Sequence, residues 1–258
     1  VRRRNEGDTA PKRAPGAGRG AFRVGTSGFG YEEWRGAFYP PDLKSRDMLR
    51  WYATQFPSVE INYTFRRIPS AKTIAAWGEA VPDGFALSFK APMRVTHVQR
   101  FGGGAAETAK EFLAALAPLG GRVGPILFQC SDTFAFDEPR VRSFLDALPA
   151  DRRYAFEFRH PSWTAARAFL ESRGASWCVA ETDDVPVPDD PLATGPFHYV
   201  RLRTSRCSTE HLATWAERID AALAAGRDVY CYFKHEDTAQ GTTFARELDA
   251  LVERPRGG

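Results

Sequence analysis

The chain has 258 residues, 43% hydrophobic and 26% charged, with a formal net charge of +3. That is apolar material for one large domain or two small ones, and too much for a globally disordered chain. No stretch approaches the roughly 18 consecutive apolar residues of a membrane-spanning helix, so a helical membrane protein is excluded.

The charge is unevenly placed. In the first twenty residues Arg2, Arg3, Arg4, Lys12, Arg13 and Arg19 stand against Glu6 and Asp8, +4 in all, so the rest of a +3 chain sums to −1. Residues 1–21, rich in Gly, Pro and Arg, read as a disordered basic tail, and 254–258 as a short C-terminal tail. The leader lacks the apolar middle of a secretory signal. Cys130, Cys178, Cys207 and Cys231 are far apart with no Cys-x-x-Cys pair. Both features lead us to expect a cytoplasmic protein with reduced thiols.

Short β-rich runs then alternate with helical pattern. Strands are expected at 22–27, 58–62, 85–90, 125–130, 154–159, 176–181, 197–203 and 229–234. Helices are expected at 45–56, 70–80, 105–118, 137–147, 162–172, 209–225 and 240–253, several opened by a capping Ser or Asp such as Ser70, Asp137 and Ser208. The Pro/Asp-rich stretch from 181 to 197 reads as irregular. Eight strands alternating with helices predict an α/β fold, a single-domain TIM-like (β/α)8 barrel over 22–253. An open doubly wound sheet is the alternative, but no G-x-G-x-x-G follows the first strand.

Strand side chains alternate between faces, so parity sorts helix-facing residues from those inside the barrel. Phe85, Leu87 and Phe89 face out, leaving Ala86, Ser88 and Lys90 inside. Val59 and Ile61 face out, leaving Glu60 and Asn62. The same rule turns Ala155, Glu157 and Arg159 inward, then Tyr199, Arg201 and Arg203, then Tyr230, Tyr232 and Lys234, with Gln129 and Ser27 following on their own strands. The charged residues come last on each strand, at the end where barrel enzymes carry their active sites. Two glutamates against five cations give a surplus of +3 in a body that sums to −1, which favours an anionic ligand.

With these positions in view, the chain resembles the YecE-like family, called domain of unknown function 72. The matching stretches are Gly25-Thr-Ser-Gly28, Trp34-Arg-Gly36, Phe38-Tyr39-Pro40, Val59-Glu60-Ile61-Asn62, Phe89-Lys90-Ala91-Pro92 and Thr96-His97. Farther on come Pro125-Ile-Leu-Phe-Gln129, Glu157-Phe158-Arg159-His160-Pro161-Ser162-Trp163, Tyr199-Val-Arg-Leu-Arg203 and Tyr232-Phe233-Lys234-His235-Glu236-Asp237. The resemblance spans about residues 22–253 and implies a TIM-like barrel. It implies no reaction.

The candidate catalytic residues are Glu60, Glu157 and His160. The two carboxylates suit acid/base chemistry of a hydrolase or isomerase type, or glycoside cleavage at separations of roughly 5–9.5 Å. Each is equally a candidate ion-pair partner of Lys90, Arg159 or Arg201. His160 precedes Pro161-Ser162, so it either caps the helix opened there or carries a proton. Candidate substrate-binding residues are Ser27, Asn62, Lys90, Gln129, Arg159, Trp163, Tyr199, Arg201, Tyr232 and Lys234. Among these, Trp163, Tyr199 and Tyr232 serve as stacking walls or as packing. His97, His160 and His235 add nitrogen donors, but no H-x-H or H-E-x-x-H spacing exists and five cations oppose a divalent ion. A metal is therefore not favoured, and no cofactor is specified. The expected partner is a small anionic molecule, phosphorylated or sugar-like, with no membrane. The alternative is a nucleic-acid-binding or nucleic-acid-processing protein that uses the positive mouth and the basic tail. Oligomeric state has no signature in the sequence.

Overall fold

A computed structural model describes residues 18–185, 187, 189, 191–192, 195–205, 207–234 and 238–252. Eight strands lie parallel in one sheet: β1 (Phe22–Thr26), β2 (Ser58–Ile61), β3 (Ala86–Lys90), β4 (Val123–Gln129), β5 (Tyr154–Glu157), β6 (Ser176–Glu181), β7 (His198–Leu202) and β8 (Val229–Phe233). Their order is β1-β8-β7-β6-β5-β4-β3-β2, so the two ends of the chain's strand series, β1 and β8, are hydrogen-bonded neighbours. Each expected strand is present, with ends shifted by a residue or two. The fold is a nearly closed TIM-like α/β barrel.

Between the strands run α1 (Met48–Tyr52), α2 (Ala71–Ala80), α3 (Ala105–Leu116), α4 (Glu138–Asp146), α5 (Arg167–Ser172), α6 (Thr209–Ala224) and α7 (Gln240–Leu251). The caps expected from sequence are made. Ser70 accepts from the Thr73 N–H, Asp137 from Arg140 and Ser208 from His211. Each satisfies a first-turn donor that has no partner within its helix. Two expected helices are broken. A 3-10 turn at Ser45–Asp47 precedes α1, and one at Pro161–Ala166 precedes α5. Among the described residues no helix is long and apolar enough to cross a membrane.

The parity rule separates two cores. Val59, Ile61, Leu87, Phe89, Phe156, Val200, Leu202, Val229, Cys231 and Phe233 join one large cluster with the helices, including Leu212, Trp215, Ile219 and Leu223 of α6. Ala86, Leu127, Ala155, Cys178, Phe197, Tyr199, Tyr230 and Tyr232 form a second cluster that fills the barrel. The interior is therefore packed below its mouth, as in other eight-stranded barrels.

The last junction, β1 with β2, is made differently from the other seven. It has one isolated parallel bridge, Ser27 with Glu60, and one main-chain bond from Gly28 N to Glu60 O at 2.8 Å. Side chains complete it. Ser58 Oγ donates to Val24 O at 3.1 Å, and the Tyr52 hydroxyl accepts from Thr26 N at 2.7 Å. Gly25 permits this approach, because a Cβ there would lie 2.0 Å from the Ser58 carbonyl oxygen.

Of the segment read as a basic tail, residues 1–17 lie outside the described residues, as do 253–258 at the other end. Arg19, Gly20 and Ala21 are held on the barrel. Arg19 pairs with Asp220, Gly20 N donates to Leu223 O at 2.8 Å, and Ala21 N donates to Asp228 Oδ1 at 2.8 Å. One buried group on β7 faces away from the interior. His198 is 3% exposed, its Nε2 has no hydrogen-bond partner, and burial followed by Arg227 and Arg167 pushes its pKa down to about 4.

Candidate functional site

The C-terminal ends of β2, β5 and β7 deliver Glu60, Glu157 and Arg201 to one point. All three are buried, at 0%, 3% and 2% exposure. Arg201 bridges the two carboxylates, with Nη1 donating to Glu157 Oε2 at 2.5 Å and Nη2 to Glu60 Oε1 at 3.0 Å. Three strands are thereby tied across the mouth by one guanidinium. Isolated, either carboxylate would be costly to bury; paired and hydrogen-bonded, both are tolerated.

Neighbours saturate the carboxylates further. Ser27 Oγ donates to Glu60 Oε1, and Tyr199 OH donates to Glu60 Oε2 at 2.8 Å. Asn62 Nδ2 in turn donates to Ser27 Oγ at 2.9 Å. Glu157 Oε1 receives Gln129 Nε2 at 2.8 Å, along with Nε and Nη2 of Arg159, each at 3.1 Å. Gln129 reaches it because β4 and β5 pair these two residues in register. Burial alone would raise the Glu157 pKa; Arg201, Arg159 and Gln129 outweigh it and hold the carboxyl down at about 2. A carboxylate so held is ionised throughout the physiological range and is a poor proton carrier near neutrality.

The cations are not all consumed. Among the described residues no carboxylate lies within ion-pair distance of Lys90 or Arg203. Lys90, half-buried at the end of β3, sets its Nζ 3.9 Å over the ring of Phe65. Burial, and next Arg201, lower its pKa to about 8 against the pull of Glu60 and Glu157. Arg203, half-buried just beyond β7, is lowered by burial and then by Arg201. Arg201 itself keeps one buried donor, Nε, without a partner. His97 stands edge-on to Phe65 with ring centres 5.3 Å apart, and its Nδ1 shares a hydrogen bond with Thr96 Oγ1 at 2.8 Å. Burial, then Lys90, Arg159 and Arg100, lower the His97 pKa. It lies in a π-helical turn, Arg94–Val98, followed by Arg100 and Phe101 at φ of 47° and 62°. Left-handed backbone at two successive residues other than glycine is uncommon, and π turns are frequent at functional sites.

Ser27, Glu60, Asn62, Gln129, Glu157, Arg159, Tyr199 and Arg201 therefore form one hydrogen-bonded network, with Lys90 beside it. Other sequence candidates lie elsewhere. Tyr232 sits a layer deeper, its hydroxyl 2.6 Å from Ser88 Oγ and its ring 5.3 Å from that of Tyr199, as interior packing. Lys234 lines a cavity of about 410 Å³ with Thr204, Ser205 and Gln240, at the rim beside α7. Trp163 is not in the mouth. It is fully buried on the helix side of β5, stacked on Phe158 at 3.9 Å between centres, with Nε1 donating to Phe134 O. Its stacking role for a ligand is corrected to core packing, because it lies in the turn after the strand, where parity no longer applies. His160 caps that turn, its Nδ1 accepting from Ser162 N at 3.2 Å. His235 lies outside the described residues. Among those that are described, no three His, Cys, Asp or Glu are grouped to hold a metal ion.

Two site neighbours, Arg203 and Phe65, are not among the binding candidates read from the sequence. Arg203 had the right parity and was passed over. Phe65 follows β2 in a short helical turn, so alternation gives no signal for it; His97, in a like turn after β3, is named from sequence in the Thr96-His97 match and as a nitrogen donor, but not as a neighbour of Lys90.

Comparison with known proteins agrees with this architecture. Residues 23–257 match the family described as "Protein of unknown function DUF72". The UPF0759 protein YecE of Escherichia coli K12 is 35% identical over 118 residues, 45% of this chain and 43% of YecE. The UPF0759 protein YunF of Bacillus subtilis 168 is 28% identical over 186 residues, 66% of this chain and 64% of YunF. The matched stretches thus span less than two thirds of either relative. Among solved structures, a DUF72 family protein of Thermotoga maritima superposes with a TM-score of 0.76 at 25% identity, covering 90% of this chain and 98% of that one. A second, from Enterococcus faecalis, gives 0.72 at 18% identity, covering 92% and 97%. With the family match running over nearly the whole barrel, Lys90 and the Arg201 network included, the chain belongs to the DUF72 family of proteins of unknown function.

Proposed function

We propose that the barrel mouth binds a small anionic molecule, phosphorylated or carboxylated and of sugar-like size. The observation that carries the reading is the imbalance at the mouth. Glu60 and Glu157 are fully engaged by Arg201 and its neighbours, whereas Lys90 and Arg203 have no carboxylate partner among the described residues and are half-buried. Partly buried cations of this kind focus field on the mouth and favour an anion there. The unpartnered Nε of Arg201 adds a buried donor. On this reading the two glutamates hold the cationic arrangement in place and do not carry protons themselves.

Titration of the protein with inorganic phosphate, followed by thermal shift and calorimetry, tests it. Saturable 1:1 binding is expected. Lys90→Met or Arg203→Met should weaken it about tenfold or more, since each removes a charge-assisted contact of about 1.5–3 kcal/mol. Phosphate affinity equal in wild type and both variants would refute the assignment. Oligonucleotide binding with a steep fall of log affinity against log salt, unaltered in Lys90→Met, would favour the nucleic-acid alternative instead.

A further inference from the structure

We propose that Lys90 is a nucleophile that forms an imine with the carbonyl group of a small anionic carbonyl compound, such as a 2-oxo acid or a phosphorylated ketone, held at the mouth. The inference rests on the anion-site reading and adds a covalent step to it.

Lys90 is placed as such a nucleophile requires. It ends β3 at the mouth of the barrel, with its carbonyl fixed by Thr64 Oγ1 at 2.6 Å. Its Nζ rests on the face of Phe65 and, among the described residues, donates to no carboxylate. The charged groups around it are two guanidiniums, Arg201 and Arg203, and two carboxylates already saturated by other donors. A desolvated amine beside fixed cations loses its proton readily, one of the known ways to activate a lysine. Lys44, Lys72 and Lys110 are exposed and serve as internal controls. The pKa of about 8 supports the geometry: about a tenth of such an amine is neutral at pH 7, against about 0.03% for an ordinary lysine.

The step balances without an oxidant or reductant. The neutral Nζ donates its lone pair to the carbonyl carbon, forming the C–N bond as the C=O π pair moves to oxygen. One N–H proton passes to that oxygen, giving a carbinolamine. The hydroxyl then leaves with a proton as water, and the C=N bond forms. His97, on the edge of the same Phe65 ring, is a titratable imidazole beside this proton transfer. Arg203 and the unpartnered Arg201 Nε would hold the anionic group of the carbonyl compound, which distinguishes it from a neutral ketone.

The test is reductive trapping. The protein is incubated at pH 7 with pyruvate or glyoxylate and sodium borohydride, and the modified lysine is located by peptide mass mapping. Acetone serves as the neutral carbonyl and inorganic phosphate as the competitor. Labelling of Lys90 at least tenfold above Lys44, Lys72, Lys110 and Lys234, suppressed by phosphate and absent with acetone, is the expected result. Lys90→Arg keeps the charge, so it should retain phosphate binding while losing the adduct. Label spread evenly over the lysines overturns the proposal; if phosphate still binds, the anion site survives it. Equal labelling of Lys90 by acetone, with no competition by phosphate, overturns both.

Discussion

His198 should make the protein lose stability in mild acid, through one identifiable proton. The imidazole is 3% exposed, carries an unpartnered Nε2, and meets the positive fields of Arg227 and Arg167. Its folded pKa is about 4, against an ordinary value of 6.5. Because the folded value is depressed, the unfolded chain binds the proton more tightly. Stability is therefore unaffected above pH 6.5, falls as the pH drops from 6.5 towards 4, and levels off below. One proton taken up across that window is worth about 2 kcal/mol between pH 7.5 and pH 5. Glu157, held at about 2 against an ordinary 4.5, gives up its own stabilisation only as the pH falls below about 4.5, so it adds little to the difference between pH 7.5 and pH 5. Urea unfolding of wild type and His198→Leu at both pH values measures the effect. The variant should lack about 2 kcal/mol of the wild-type difference, whatever its absolute stability. An identical pH difference in the two proteins would refute the reasoning, since it would mean that His198 titrates alike in the folded and unfolded chains.

Two further outcomes follow from packing and charge. Arg201→Met should destabilise by about 3–5 kcal/mol, because it strands two buried carboxylates; combining it with Glu60→Gln and Glu157→Gln should recover part of that loss in urea titrations. Trp163→Ala should lower stability by about 3–5 kcal/mol through the cavity it leaves, while the phosphate affinity of the folded variant stays unchanged, in keeping with its place on the helix side of β5.

The barrel was legible because each strand repeats the same alternation. Leu87 and Phe89 reach the helices while Ser88 turns inward, and Val200 and Leu202 do so around Arg201. Alternation assigns a face but not a partner. It placed Glu60, Glu157 and Arg201 together, yet could not tell whether the carboxylates faced a ligand or the guanidinium, since this depends on the relative heights of β2, β5 and β7. Gln129 was found by parity, and its bond to Glu157 depends on the β4–β5 register. Trp163 shows where the method stops. One turn past the strand, its direction is set by Phe158 just before it and by Phe134 and Phe136, which are far from it in the chain though close in space. Phe65 was missed for the same reason, and His97 was read only as a nitrogen donor.

The β1–β2 seam gives the cylinder a preferred line of opening. Elsewhere a strand can separate from its neighbour only by breaking a ladder of main-chain bonds, whereas here the contact is a single bridge reinforced by hydroxyls. Amide protons along β1 and β2 should therefore exchange through smaller, cheaper openings than those of β5 to β7. Such an opening would part Ser27 from Glu60, and with them one side of the Arg201 network. Breathing of the wall and the shape of the mouth are thus the same motion, and a molecule gripped by that network would slow hydrogen exchange on strands it never touches.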